Sequence, residues 1–205
     1  MLLAATASAA PLSSGCGAAR QDAHERKGTF TLKVLKASFP SSQAVARPAS
    51  FELQVENAGR HAVPEVAVTL DSFYYVERYP QLAANKRPVW AIETGPGAVP
   101  SPPVESEAVS PPGGGQTNYV NTWALGPLAP GRTQKFVWRV APVKAGRYTV
   151  HYVIAAGLAG KAKAARAGGG PVQGQLTADI APAPPARHVN PATGRVVLGA
   201  YPIVP

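Results

Sequence analysis

An all-β sandwich is the fold that this sequence predicts, on three observations. Apolar residues recur at every second position in six segments, glycine and proline punctuate the chain between them, and no intervening stretch carries a convincing amphipathic helix. The 20 glycines and 22 prolines in 205 residues imply many turns, because about a tenth of an average chain is made of these two residues. One domain of this length has room for a real core, and sandwiches reach it as single units.

The first strand is read in Thr29-Phe30-Thr31-Leu32-Lys33-Val34, where Phe30, Leu32 and Val34 point inward because a pleated strand sends alternate side chains to opposite faces. Ser50 to Glu56 repeats the alternation, and Asn57-Ala58-Gly59 ends it with turn formers. Pro64 to Asp71 is the third strand. Thr133 to Val140 is the fourth, with Phe136, Trp138 and Val140 on one face against Lys135 and Arg139 on the other. Gly146 to Ile154 follows, with Tyr148, Val150, Tyr152 and Ile154 inward, and Gln175 to Ile180 closes the set. Phe51, Trp138 and Tyr148 are expected to share one interior.

The formal charge of +9 is unevenly distributed. Residues 1 to 119 hold ten basic and ten acidic groups, whereas residues 120 to 205 hold ten basic groups and only Asp179. A basic half can favour anionic partners such as lipid headgroups, acidic wall polymers or nucleic acid, although a basic proteome and ordinary solubility account for it more simply.

Met1 to Leu12 is uncharged and small or apolar, and Ser13-Ser14-Gly15-Cys16-Gly17 follows it. This resembles the end of a bacterial lipoprotein signal, in which small residues precede a cysteine that becomes lipidated. That resemblance implies lipidation at Cys16 and a place on the outer face of the membrane. Two departures stand out: Leu12 lies four residues before the cysteine instead of three, and the basic n-region is missing, for which a translation start upstream of Met1 would account. Cleavage after Ala7-Ser8-Ala9 with soluble secretion, and an unprocessed tail, are the other readings. Cys16 is the only cysteine, so no intrachain disulfide is available. No other run approaches the roughly 18 apolar residues of a membrane-spanning helix.

The organisation that follows is a signal segment at 1–16, a polar tether at 17–28, a sandwich at 29–181 and an extension at 182–205. In the extension, Arg195 to Leu198 is expected to add an edge strand or to lie across the sheet. Within the sandwich, nearly fifty residues from 72 to 121 interrupt the strand pattern. Unstructured connections of that length are uncommon and usually functional or disordered. Phe73 to Tyr79 and Val89 to Ile92 are aromatic-rich and suited to extra strands, and Gly95 to Gly115 is rich in proline, glycine and serine.

Three turns carry a family resemblance. Val55-Glu56-Asn57-Ala58-Gly59, Leu125 to Gly131 (ending Ala129-Pro130-Gly131) and Ala145-Gly146-Arg147-Tyr148-Thr149-Val150 resemble, in this order, the turn and strand signatures of bacterial CARDB-type surface domains. Those domains are related to fibronectin type III sandwiches. The resemblance spans about residues 29 to 181 and implies an immunoglobulin-like antiparallel sandwich of about seven strands in an exported, actinobacterial-style envelope protein. It also implies that Tyr148 fills a tyrosine corner, with its ring in the core and its hydroxyl on upstream backbone. The insertion at 72–121 departs from the family and is the place to look for specificity.

Catalytic and metal chemistry finds little support. His24, His61, His151 and His188 are isolated in sequence and read as solvated, no Cys-x-x-Cys occurs, and Met1 is the only methionine. There is no nucleophile elbow, phosphate loop or dinucleotide fingerprint, and Gly168-Gly169-Gly170 is followed by Pro171 and no helix. Glu105 and Glu107 fall in a proline-rich stretch that gives no rigid placement. The chain is therefore read as a non-enzyme without cofactor or metal.

Two features suit recognition. Tyr74, Tyr75, Tyr79 and Trp90 could present flat amphipathic rings to a sugar or protein, or could pack the insertion onto the sandwich. Lys161, Lys163 and Arg166, in the loop before the last strand, could touch an anionic surface or be solvated. Nucleic acid is not an expected partner, because these basic residues are not interleaved with stacking aromatics. The partners expected are the membrane through Cys16, and an envelope protein or polysaccharide. The competing classes are a structural or ligand-binding module, a carbohydrate or anionic-polymer adhesion module, and an accessory subunit of an envelope complex.

Overall fold

Alternating segments pair by hydrogen bonds across the chain in two facing layers. The computed structural model describes residues 25–75, 88–97, 117, 121–185 and 187–199. These contain strands β1 (Gly28–Ser38), β2 (Ser42–Ala44), β3 (Ala49–Asn57), β4 (Ala67–Leu70), β5 (Phe73–Tyr75), β6 (Trp90–Thr94), β7 (Thr122–Ala124), β8 (Thr133–Pro142), β9 (Gly146–Ala155), β10 (Ala162–Ala165), β11 (Val172–Ala181), β12 (Arg187–Val189) and β13 (Val196–Leu198). One sheet runs β10-β1-β3-β8-β6-β5 and the other β2-β11-β9-β4-β7. The protein is an all-β sandwich of two facing sheets.

The long strands pair antiparallel, as in Phe51 opposite Trp138 and Val150 opposite Leu176. The short edge strands β10, β2 and β5 instead pair parallel, with β1, β11 and β6. Parallel neighbours need a crossover of about a dozen residues or more. The first part of the insertion supplies that link between β5 and β6.

Several expectations are corrected. Residues 162–165 are strand β10 and not loop, because Ala162 and Ala164 pack inward while Lys163 points out, a three-residue alternation too short to read among alanines and basic residues. Residues 196–198 join neither main sheet; they pair with β12 in a separate hairpin. Strand β7 directly follows the insertion and had no recognisable pattern, since all three of its residues are buried.

The interior is aromatic. Trp90, Trp123 and Trp138 are almost fully buried with Phe51, Phe73 and Phe136. Edge-on ring contacts join the layers: Trp123 to Trp138 at 5.4 Å, Trp90 to Tyr148 at 6.1 Å, and Phe51 to Tyr152 at 6.4 Å between centroids. Such pairs add to the burial of roughly 150–250 Å² per ring. Tyr148 forms the corner expected of it, its hydroxyl donating to the Ala145 carbonyl at 3.0 Å. Gly174 faces Tyr152 across the β11–β9 pair, and a methyl group there would come within 2.4 Å of the phenol oxygen. The strand therefore carries glycine at a close approach.

Turns at one end of the sandwich are held by Asn57. Its buried amide donates to the carbonyls of His61 and Leu128 at 2.9 and 2.8 Å and accepts from the Gly59 N–H at 3.0 Å. The sequence reads Asn57 as a turn former; the structure adds that it bridges to a segment 71 residues away.

Candidate functional site

The two segments singled out in the sequence lie at opposite edges of the six-stranded sheet. At the β5–β6 edge, Trp90 is fully buried and so presents no face to a ligand. It packs on Phe39 and Phe73 at 5.4 and 5.8 Å, and its indole N–H donates to Gln43 Oε1 at 2.8 Å. That bond ties β6 of one sheet to β2 of the other, and the Gln43 amide in turn donates to the Pro40 carbonyl at 2.8 Å. Trp90 thus packs the insertion onto the sandwich, the alternative the sequence left open. Tyr79 and the side chains of Tyr74 and Tyr75 lie outside the described residues, as do Cys16 and His24.

At the β10 edge the chain enters the sandwich beside the basic segment. Gly28 N–H donates to the Lys161 carbonyl at 3.2 Å, and the parallel register sets Gly28 against Ala162 and Thr29 against Lys163. Glu25 fastens this corner: its carboxylate accepts the N–H groups of Ala159 at 2.6 Å and Ala162 at 2.5 Å. Gly157 leaves the space, since a methyl group there would lie 2.3 Å from the carboxyl carbon of Glu25. No local pattern signals this contact, which spans more than 130 residues.

Lys161, Lys163 and Arg166 are all exposed. They are not equivalent. The Arg166 guanidinium donates to the Gln173 carbonyl, whereas Lys161 and Lys163 point out beside the incoming chain. Arg26 and Lys27 are exposed immediately before β1, and Arg60 and Arg132 are exposed in the turns that Asn57 joins at the same end. The acidic groups there are engaged or faced by base. Glu25 is bound to backbone, Glu65 accepts the Gly126 N–H at 2.6 Å, and Glu56 sits opposite Lys33 in register.

The outer sheet faces differ in chemistry. On the six-stranded sheet, Glu52 is clamped between Lys36 at 3.1 Å and Lys135 at 3.2 Å, and Arg139 meets Glu93 at 2.7 Å. Hydrogen bonds from Lys36 and Lys135 hold the Glu52 carboxyl below its ordinary range. The five-stranded sheet carries hydroxyl pairs, Thr149 with Thr177 at 2.8 Å and Thr69 with Thr122 at 2.9 Å.

That same face holds an acid–imidazole pair the sequence missed. His151 Nδ1 lies 2.6 Å from Asp71 Oδ2, and the His151 backbone N–H donates to Asp71 Oδ1 at 2.9 Å. His151 points outward as expected, but its ring is hydrogen-bonded to Asp71 and not simply solvated. Partial burial raises the Asp71 pKa; the hydrogen bonds from Ser72 and His151 outweigh that and leave it lowered. Ser72 Oγ donates to Asp71 at 2.6 Å and not to the imidazole, so the three do not form a relay in which the base activates the hydroxyl. Among the described residues no three His, Cys, Asp or Glu side chains are grouped to hold a metal ion. No helix there is long and apolar enough to cross a membrane.

The likenesses to known proteins are structural. No family model matches the sequence, and no curated protein matches it. Among solved structures, the chain is similar to the CARDB domain of a Pyrococcus furiosus protein in complex with di-metal ions, at 14% identity over 75% of this chain and 96% of that one, with a TM-score of 0.40. It is similar to a PapD-like domain of human CEP192, at 14% identity over 89% and 99% of the two chains, with the same TM-score. A third likeness, to Escherichia coli alpha-2-macroglobulin, covers 80% of this chain but 9% of that one, at 15% identity and a TM-score of 0.40.

Proposed function

We propose that this protein is a non-catalytic, exported module of the cell envelope, held at the outer face of the membrane through a lipid on Cys16. Its sandwich serves as a structural or binding platform. The observation that carries this reading is the β1–β10 corner. Glu25 pins the incoming chain to the sandwich nine residues after Cys16, and nine residues reach about 30 Å at full extension. An anchor at Cys16 would therefore keep a defined end of the domain close to the bilayer.

The rest of the surface supports a platform. The ion pairs and hydroxyl pairs lie on the outer faces, where they order strands, and the Asp71–His151 pair has its hydroxyl neighbour on the wrong partner for nucleophilic catalysis. Palmitate labelling in the native host tests the anchor. Label incorporated by the wild type and lost in Cys16→Ala, with a labelled uncleaved precursor accumulating under globomycin, is the expected result. An unlabelled wild-type protein in the cytosolic fraction would overturn the proposal.

A further inference from the structure

We infer that the end of the sandwich where the chain enters is a docking surface for an anionic lipid headgroup layer, centred on Arg26, Lys27, Lys161 and Lys163. The inference deepens the envelope reading and rests on it for the choice of a membrane as partner. Its physical basis is local. Parallel pairing of β1 with β10 brings the basic residues that precede and occupy β10 beside those that precede β1, although more than 130 residues separate them in sequence. Arg60 and Arg132 extend the same end through the turns joined at Asn57.

The acidic residues of this end do not offset the patch in full. Glu25 and Glu65 have carboxylates bonded to backbone N–H groups, and Glu56 faces Lys33. Among the described residues, six exposed cations, Arg26, Lys27, Arg60, Arg132, Lys161 and Lys163, thus stand against three acids. Each basic group close to an acidic lipid surface contributes about a fivefold gain in partitioning, and the attraction decays within a Debye length of about 10 Å at 0.1 M salt. Continuity with the tether selects a lipid surface over a soluble polyanion. A chain anchored at Cys16 must present this end to the bilayer, whereas Arg47 and Lys144, beyond the far ends of β2 and β8, would face away.

The test uses the full chain carrying Cys16→Ser, so that no lipid contributes, and sedimentation with vesicles of phosphatidylglycerol and phosphatidylcholine at low salt. Replacing Arg26, Lys27, Lys161 and Lys163 by glutamine is expected to lower partitioning by about 600-fold, fivefold for each of the four charges. Replacing Arg47, Lys144, Arg187 and Arg195 by glutamine, the same change in net charge, is expected to lower it less than threefold. Matching far-ultraviolet circular dichroism and melting temperatures establish that both variants are folded. A Lys161→Gln/Lys163→Gln double variant, expected to lose about twentyfold, replaces the fourfold one if that variant fails to fold.

Equal losses in the two sets, or none in the first, would overturn the docking surface. So would vesicle binding abolished by equimolar soluble poly(glycerol phosphate), which would assign the patch to a wall polymer. Loss of palmitate labelling with the vesicle pattern intact would remove the anchor and leave the surface standing.

Discussion

The two edges of the six-stranded sheet met opposite fates. The β5–β6 edge takes an aromatic segment and buries it, so that Trp90 becomes part of the common core and its N–H is bonded to Gln43. The β10 edge takes a segment of alanine and basic residues, buries Ala162, and leaves Lys161 and Lys163 outside. Both segments were singled out as recognition features. The difference follows from desolvation: an indole gains several kcal/mol on leaving water, whereas a lysine ammonium loses its hydration unless paired.

Truncating each edge should separate them most sharply. Trp90→Ala is expected to lower stability by about 3–5 kcal/mol in urea unfolding, because it empties the largest side chain of that edge and leaves Gln43 Oε1 unpaired. A loss under 1 kcal/mol would mean that the insertion is not packed into the core.

This contrast also shows what could be read in advance. The six alternating strands, the shared interior of Phe51 and Trp138, and the corner at Tyr148 follow from period-two patterning and local turn chemistry. Strands β2, β7 and β10 have three or four residues each, too few to register a period, and gain their place from the sheet they extend, whereas β5 and β6 lie in the aromatic segments suited to extra strands. The contacts of Glu25 with Ala159 and Ala162, of Asn57 with Leu128, and of Asp71 with His151 join residues far apart in sequence. No single-chain pattern encodes such pairs. Isolated in sequence, His151 and Glu25 looked like solvent-facing polar residues.

The end that joins the basic edge to the turns sharpens the comparison. Asn57→Ala removes three hydrogen bonds from a buried site and is expected to cost about 2–3 kcal/mol, measured in the same unfolding experiment. Gly157→Ala should cost about 1 kcal/mol and mimic Glu25→Ala, since the added methyl displaces that carboxylate from its two amides. If the two changes add fully when combined, they do not act on one contact.

Acid provides a smaller probe on the other sheet. The Asp71 carboxyl titrates below its ordinary range in the fold, so its contribution is complete above the unfolded value of about 3.9 and is lost as pH falls below it. The stability gap between the wild type and Asp71→Asn should therefore narrow as pH falls from 5 toward 3 in urea titrations. A gap that widens on acidification would reverse the sign assigned to this pair. Smallest of all, Lys161→Gln and Lys163→Gln should change stability by less than about 0.5 kcal/mol, as exposed sites do.

Hydrogen exchange at the Ala159 and Ala162 amides tests the central claim most directly, namely that the incoming chain and the basic strand form one fixed corner. Both N–H groups should exchange far more slowly than in an unstructured peptide, and Glu25→Ala should release them while leaving the Trp138 and Val150 amides protected. Free-peptide exchange at Ala159 and Ala162 in the wild-type chain would contradict the pinned corner, and with it the orientation of the basic end.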